Sequence, residues 1–311
     1  MRGRLLQPPR WHPRGLNNGV IVGATFHAAS RLPTWITYPI GHVGTRIAYQ
    51  LQTSGREALV SNLRVVCPDA SEARLRDLAL ATYRSYARDV IDFVRLVPRP
   101  ADDLRRLVGR FEIAAFDRAM AAGRGVLAVS AHFGNWELGG VLLRRLTPHA
   151  LSIVVMRERS EEVTRRRTAF RQSLGIETIE VRRGIETALR IREQLAQQRV
   201  VALLVDRHVF RDRVAVTFFG RQAYFLRSPA LLASLTGAPL VPIAVFRDTD
   251  ERLTVEADDP IAVTSRGESA IREATQRVAS FFETRIRKRP ECWYQFYPYW
   301  DSQDLADVPR R

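Results

Sequence analysis

The run GVLAVSAHFGNWELGGVLLRRLTPHALSIVVM, from Gly125 to Met156, decides the fold. Its apolar segment Val126–Ala131 predicts a buried strand, Asn135–Leu146 a helix, and Leu151–Met156 a second strand. The alternation continues downstream, with helices expected at Glu161–Leu174 and Ile185–Gln198 and strands at Ile176–Val181 and Val200–Asp206. Strand and helix in turn build βαβ units. The expected fold is therefore α/β, a single domain with a mostly parallel or mixed central sheet flanked by helices. Further strands at Val214–Phe218, Leu240–Phe246 and Leu253–Ala257, a helix at Ser228–Leu235 and an amphipathic helix at Glu268–Lys288 complete it.

Upstream, Leu75, Ala79, Tyr83, Tyr86, Val90, Phe93 and Val97 step by three or four along residues 69–97, the inward stripe of a long helix. Asp69 and Glu72 have capping-box spacing at its start, and Pro98 and Pro100 stop it. No repeat, low-complexity block or linker divides residues 55–300. Three parts are expected: an N-terminal helical, membrane-associating segment over 1–54, one main domain over 55–302, and a polar tail over 303–311.

The N-terminal expectation rests on two uncharged stretches, 15–30 and 32–45, the second carrying Pro33, Trp35, Tyr38 and Pro39. Arg2, Arg4, Arg10 and Arg14 precede them. Neither reaches the roughly 18 apolar residues a spanning helix needs, and Asn17 and Asn18 weaken the first. Short apolar segments with aromatics and flanking arginines suit a helix lying in the membrane interface, or an anchor that does not fully cross. A signal peptide ending near His27-Ala28-Ala29-Ser30 and a pair of ordinary core helices are the competing readings.

Composition narrows the classes. With 311 residues, 46% hydrophobic and 26% charged, the chain is neither collagen-like, disordered nor disulfide-stapled. Its net charge is +15 and its only lysine is Lys288, so the basic excess is arginine. Such a charge favours anionic partners: nucleic acid, a phospholipid surface or an acidic carrier. GC-rich codon usage also raises arginine, without accounting for the excess over acids. Cys67 and Cys292 lie far apart and the histidines are scattered, so neither a disulfide framework nor a metal site is expected. G-x-S-x-G and Walker A motifs are missing, and Gly123-Arg124-Gly125 precedes a strand where a dinucleotide fingerprint would follow one.

Chemistry is expected where Val126–Ala131 runs into His132, then Gly134, then a helix with Glu137 in its first turn. A histidine at the carboxyl end of a strand sits at the functional rim of an α/β sheet. Glu137 is the nearest carboxylate in sequence and is expected to orient the imidazole. Five residues of continuous helix rotate by about 500°, so the dyad requires His132 in the loop before the helix.

These residues also carry a resemblance. Ser130-Ala-His132-Phe-Gly-Asn-Trp-Glu137 resembles the H-x4-D/E motif of the lysophospholipid acyltransferase superfamily, in the branch of bacterial lipid A late acyltransferases and phosphatidylinositol mannoside acyltransferases. Further blocks fall in that branch's order. They are Asn62-Leu63 with Cys67-Pro68, Arg171 before Gly175, Asp206 closing a strand, Phe218-Phe219-Gly220, Ser228-Pro229-Ala230, Thr236–Pro242 and Pro290–Tyr294. Arg207 and His208 depart from the branch's usual residues after the aspartate.

The resemblance implies a glycerolipid acyltransferase-like fold over 55–302 and acyl transfer from a thioester of acyl carrier protein or CoA to a hydroxyl of a membrane glycolipid, as in lipid A synthesis. It implies no covalent enzyme intermediate and no cofactor beyond the acyl co-substrate. Location at the cytoplasmic face of a bacterial inner membrane follows, with an anionic phospholipid surface as partner. His132 would be the general base and Glu137 its orienting group. Backbone N–H groups after Gly134 are candidates to hold oxyanion charge. Arg171 would bind an anionic group, with Asp206 orienting Arg171 or polar substrate groups. Arg157 and Asn135 are further substrate-binding candidates. Each has a bland counterpart: a solvated helix-face arginine for Arg171, a loop cap for Asp206, turn-shaping for Asn135.

The six aromatics within residues 293–300 either cover a core or line an acyl channel. A phosphatidylinositol mannoside acceptor is the alternative within the same mechanism. A non-catalytic lipid-binding homologue would lack the intact His132 and Glu137. A basic nucleic-acid-binding protein is the alternative of a different class; its motifs are missing and no nucleic-acid partner is expected.

Overall fold

The computed structural model describes residues 33–301 apart from 158–160, 183 and 209–211. Its strands are β1 (Val108–Glu112), β2 (Val126–Ser130), β3 (Leu151–Val155), β4 (Ile176–Glu180), β5 (Val200–Leu204), β6 (Val214–Phe218), β7 (Arg221–Phe225), β8 (Leu240–Arg247) and β9 (Leu253–Ala257). Seven form one sheet in the order β1-β9-β8-β2-β5-β3-β4. The run from β8 to β4 is parallel, whereas β9 pairs antiparallel with β8 and parallel with β1. The mostly parallel, mixed sheet expected from the alternation is present.

The helices are α1 (Thr34–Leu51), α2 (Thr53–Val66), α3 (Glu72–Leu96), α4 (Ala101–Leu107), α5 (Ala114–Ala121), α6 (Trp136–Leu146), α7 (Glu161–Ser173), α8 (Glu186–Ala196), α9 (Ser228–Thr236) and α10 (Glu268–Lys288). Central strand β2 is buried along Val126, Leu127, Ala128 and Val129, as a strand covered by helices on both faces must be. One core cluster joins β2 and β5 to α9 and α10 through Leu127, Val129, Val201, Ala230 and Val278. Another joins α6 to β8 and β9 through Leu138, Leu142, Val245 and Val255.

Helix α2 and four shorter elements were not anticipated. Edge strand β1 reads VGRFE and carries Arg110 and Glu112 on exposed positions, so it lacks the apolar alternation that marks a half-buried strand. Strand β7 is joined to β6 through Phe219 and Gly220, both at positive φ (55° and 71°), the geometry of a tight hairpin turn. Helices α4 and α5 have only 7 and 8 residues, too few to display a period. The cap of α3 also differs: Ser71, not Asp69, accepts from the Arg74 N–H at 3.3 Å, because the helix begins at Glu72.

Helix α1 packs against α3, where Tyr38 donates to Asp92 Oδ1 at 2.5 Å and Gly41 lies so close that a Cβ would stand 2.8 Å from Ile91. Its opposite side leaves Ile40, Val43, Ile47 and Leu51 exposed. Among the described residues no helix is long and apolar enough to cross a membrane. The stretch 15–30, the signal-peptide reading and the tail 303–311 lie outside the described residues.

Candidate active site

The register of β2 against β5 builds the site. These parallel neighbours pair Ser130 with Leu204, and the next link is the Val205 N–H to the Ser130 carbonyl at 2.9 Å. Two residues beyond each strand end come His132 and Asp206. Side chains two apart share a face of a strand, so the register delivers imidazole and carboxylate side by side. His132 Nδ1 lies 2.7 Å from Asp206 Oδ1, and the His132 backbone N–H donates to Oδ2 at 3.0 Å.

Asp206 is 1% exposed and saturated with donors. Besides His132, its Oδ2 accepts from Gln295 Nε2 at 2.7 Å and Trp293 Nε1 at 3.3 Å. Burial alone would raise its carboxyl, but the adjoining imidazole and Arg207 outweigh burial and hold it below its ordinary range. An ionised carboxylate only accepts, so Nδ1 carries the proton and donates. Burial, and next Arg207, push His132 below the usual 6.5 against the pull of Asp206. The imidazole is therefore neutral near pH 7. Its Nε2 is left with a lone pair and has no partner among the described residues.

Gly134 turns the chain from the strand into α6. It adopts φ +61°, and a Cβ there would stand 2.2 Å from the Val245 carbonyl oxygen. Only glycine fits. Its N–H donates to the Cys292 carbonyl at 2.8 Å and that of Asn135 to Val245 at 2.7 Å. Those two N–H groups are thus spent and cannot face an oxyanion, a correction to the expectation for the whole turn. The N–H groups of Trp136 and Glu137, in the first turn of α6, have no acceptor among the described residues.

The carboxylate on Nδ1 is Asp206 and not Glu137, nor does Asp206 orient Arg171. Glu137 instead faces Arg171 of α7, Nη2 to Oε1 being 3.5 Å. Proximity in sequence pointed to Glu137, but the parallel register brings in a carboxylate 74 residues away. Arg171 is largely buried, its side chain 12% exposed. Asn135 is spent structurally: Oδ1 caps α6 by accepting from the Leu138 N–H at 3.1 Å, and Nδ2 donates to the Asp89 carbonyl at 2.9 Å. Arg157 is exposed beyond β3 and pairs with Glu161 at 2.6 Å. In the sheet order β5 lies between β3 and β2, so Arg157 follows a strand that is not the direct neighbour of the one leading into His132.

Sequence reasoning missed the shell contributed by the C-terminal run. Gln295 is fully buried, and its amide bridges Asp206 and Arg207, whose Nε donates to Gln295 Oε1 at 2.9 Å. Trp136 stacks edge-on against His132 at 5.3 Å between ring centroids. Asn62 staples the run: it donates to the carbonyls of Gln295 and Tyr297 at 3.0 and 2.8 Å and accepts from the Tyr299 N–H at 2.9 Å. Trp293, Tyr294, Tyr297 and Tyr299 are buried, so this run covers the core. Among the described residues no cluster of His, Cys, Asp or Glu is placed to hold a metal ion.

Comparison with known proteins gives a consistent picture. The profile of one family, described as bacterial lipid A biosynthesis acyltransferase, matches residues 11–302. The phosphatidylinositol mannoside acyltransferase of Mycolicibacterium smegmatis is 32% identical over 278 residues, covering 87% of each chain. That of Mycobacterium tuberculosis is 30% identical over 291 residues, covering 92% of this chain and 88% of its own.

Proposed function

The chain belongs to the bacterial lipid A biosynthesis acyltransferase family, and from that premise we propose that it moves a fatty-acyl group from a thioester to a hydroxyl of a mannosylated phosphoinositide by general-base catalysis at His132. That it is an acyltransferase follows from the family; acceptor, donor and mechanism are the proposal. The observation that carries it is the 2.7 Å contact of His132 Nδ1 with Asp206, which leaves Nε2 as the free base.

In this reading Nε2 takes the proton of the acceptor hydroxyl as its oxygen attacks the thioester carbonyl. Asp206 fixes the productive tautomer and stabilises the imidazolium that forms. The thiolate leaves as the tetrahedral intermediate collapses, carrying the proton away from His132. The unpartnered N–H groups of Trp136 and Glu137 suit the developing oxyanion, since a helix N-terminus favours negative charge. Arg171, steadied by Glu137, offers a planar donor fork to a phosphate of donor or acceptor. The relatives' names favour a phosphatidylinositol mannoside over a lipid A precursor as acceptor.

Attachment to the cytoplasmic face of the inner membrane belongs to the same proposal. Ile40, Val43, Ile47 and Leu51 recur along one side of α1 and are exposed. With a net charge of +15, this suits a helix lying on anionic lipid without spanning it.

The test supplies the full chain with long-chain acyl-CoA or acyl carrier protein and either a phosphatidylinositol mannoside or a lipid A precursor, and identifies products by mass spectrometry. A new ester on the mannoside is expected. Ester on the lipid A precursor alone would overturn the acceptor assignment, and thioester consumption without any ester would overturn the transfer reading.

A further inference from the structure

Tyr294 touches the catalytic loop at every level. Its N–H donates to the His132 carbonyl at 2.8 Å, and its own carbonyl accepts from Arg207 Nη2 at 2.8 Å. Its ring lies 5.9 Å from Trp136, the ring that in turn packs on His132. Its hydroxyl, buried, donates to Asp89 Oδ2 at 2.5 Å across 205 residues of sequence. Asp89 holds the loop a second time through its main chain, since its carbonyl accepts from Asn135 Nδ2, the cap of the helix that carries Glu137.

We propose that Asp89 and Tyr294 are a positioning pair for the general base: their hydrogen bond clamps the His132 loop between α3 and the C-terminal run. Neither group touches the reacting atoms. The clamp acts through Tyr294, which fixes the His132 backbone and the Trp136 ring, and through Asn135, which fixes the start of α6. The inference rests on His132 being the base.

Stability gives little reason to keep this pair polar. Burial, aided by Asp92 and opposed by the Tyr294 hydroxyl, Arg247 and Arg88, pushes the Asp89 carboxyl up to about 7. Burial, with Asp89 next, raises the Tyr294 hydroxyl well above its ordinary value, so it remains a donor. Replacing both partners of such a largely enclosed polar pair by apolar groups of the same shape is often close to neutral for stability. What the polar pair supplies is one fixed geometry, and misplacing a catalytic group by about 1 Å costs up to about a hundredfold in rate.

The test measures kcat, KM and melting temperature of the full chain with palmitoyl-CoA and vesicles bearing phosphatidylinositol mannoside. Tyr294→Phe removes only the hydroxyl and Asp89→Leu only the acceptor. Each is expected to lower kcat by about 10- to 100-fold, with KM within about twofold. The double variant should be no slower than the slower single one, because one bond is lost either way. Asp89→Asn keeps an acceptor and should restore most of the rate. Wild-type kcat in Tyr294→Phe, effects that multiply in the double variant, or losses that track melting temperature would each overturn the inference. His132→Ala is run alongside. If it is inactive while Tyr294→Phe is normal, only the positioning pair fails; if it is fully active, the general-base reading fails first.

Discussion

Replacing Asp206 by asparagine (Asp206→Asn) isolates what the carboxylate does for His132. Oδ2 meets three donors, the His132 N–H, Gln295 Nε2 and Trp293 Nε1, whereas Oδ1 meets only Nδ1. The amide introduced at this position must therefore keep its oxygen toward the three donors and turn its NH2 toward the imidazole. Nδ1 then becomes an acceptor and the proton moves to Nε2, which can no longer take one from the acceptor hydroxyl. The corresponding Asp-to-Asn change in serine proteases, where the same tautomer logic holds, costs about 10⁴ in kcat. A fall of about 10³ to 10⁴ is expected here, equivalent to roughly 4 to 5.5 kcal/mol of transition-state stabilisation. KM should change little, because Asp206 is buried beneath the base. Stability should fall by about 1–3 kcal/mol, the usual cost of unsettling a buried hydrogen-bonded group. The assay is steady-state acyl transfer beside a thermal melt. A variant that folds and keeps kcat within tenfold of wild type would refute the claim that Asp206 sets the tautomer.

Three further outcomes follow from the same geometry. Because burial and Arg207 lower His132, the active neutral imidazole persists to more acid pH than a free one; kcat/KM should rise with pH with its acid midpoint below 6.5, and a midpoint above 6.5 would contradict this. Asp89 titrates near 7 in the folded chain against an ordinary 3.8, so the stability tied to its protonated form is complete below 3.8 and lost as pH rises through about 7. Asp89→Asn should accordingly shrink the loss of stability between pH 6 and 8.5 by about 1–2 kcal/mol, read from melts at the two pH values; an unchanged pH dependence would count against it. Gly134→Ala would drive a Cβ to 2.2 Å from the Val245 carbonyl oxygen, so it should destabilise the chain by more than about 2 kcal/mol and abolish transfer, and a well-folded active variant would show the turn to be less constrained than described.

Much of this was legible because each central strand carries its own signal. Residues 126–129 and 200–204 are continuous apolar runs, and both lead into polar groups at the rim. His132 and Asp206 were therefore visible singly. Their pairing was not, because it depends on β5 lying beside β2 in a particular register, a non-local choice that neither strand's pattern encodes. Glu137 was the natural partner along the chain, and the entry into α6 turns it to Arg171 instead. The clamp by Tyr294, Gln295 and Asn62 was hidden for the same reason: aromatics near a C-terminus read equally as core cover, and here they are core cover that also holds the site. Edge strand β1 was invisible because exposed, charged residues stabilise an edge without any apolar period.

The measurement that bears most directly on His132 as the base compares the full chain with His132→Gln in acyl transfer from palmitoyl-CoA to phosphatidylinositol mannoside, counting ester product by mass spectrometry. Steady ester formation is expected of the wild type, with a rate at least about 10³-fold lower for the variant and an unchanged melt. Ester formation by His132→Gln at the wild-type rate would contradict general-base catalysis at this residue.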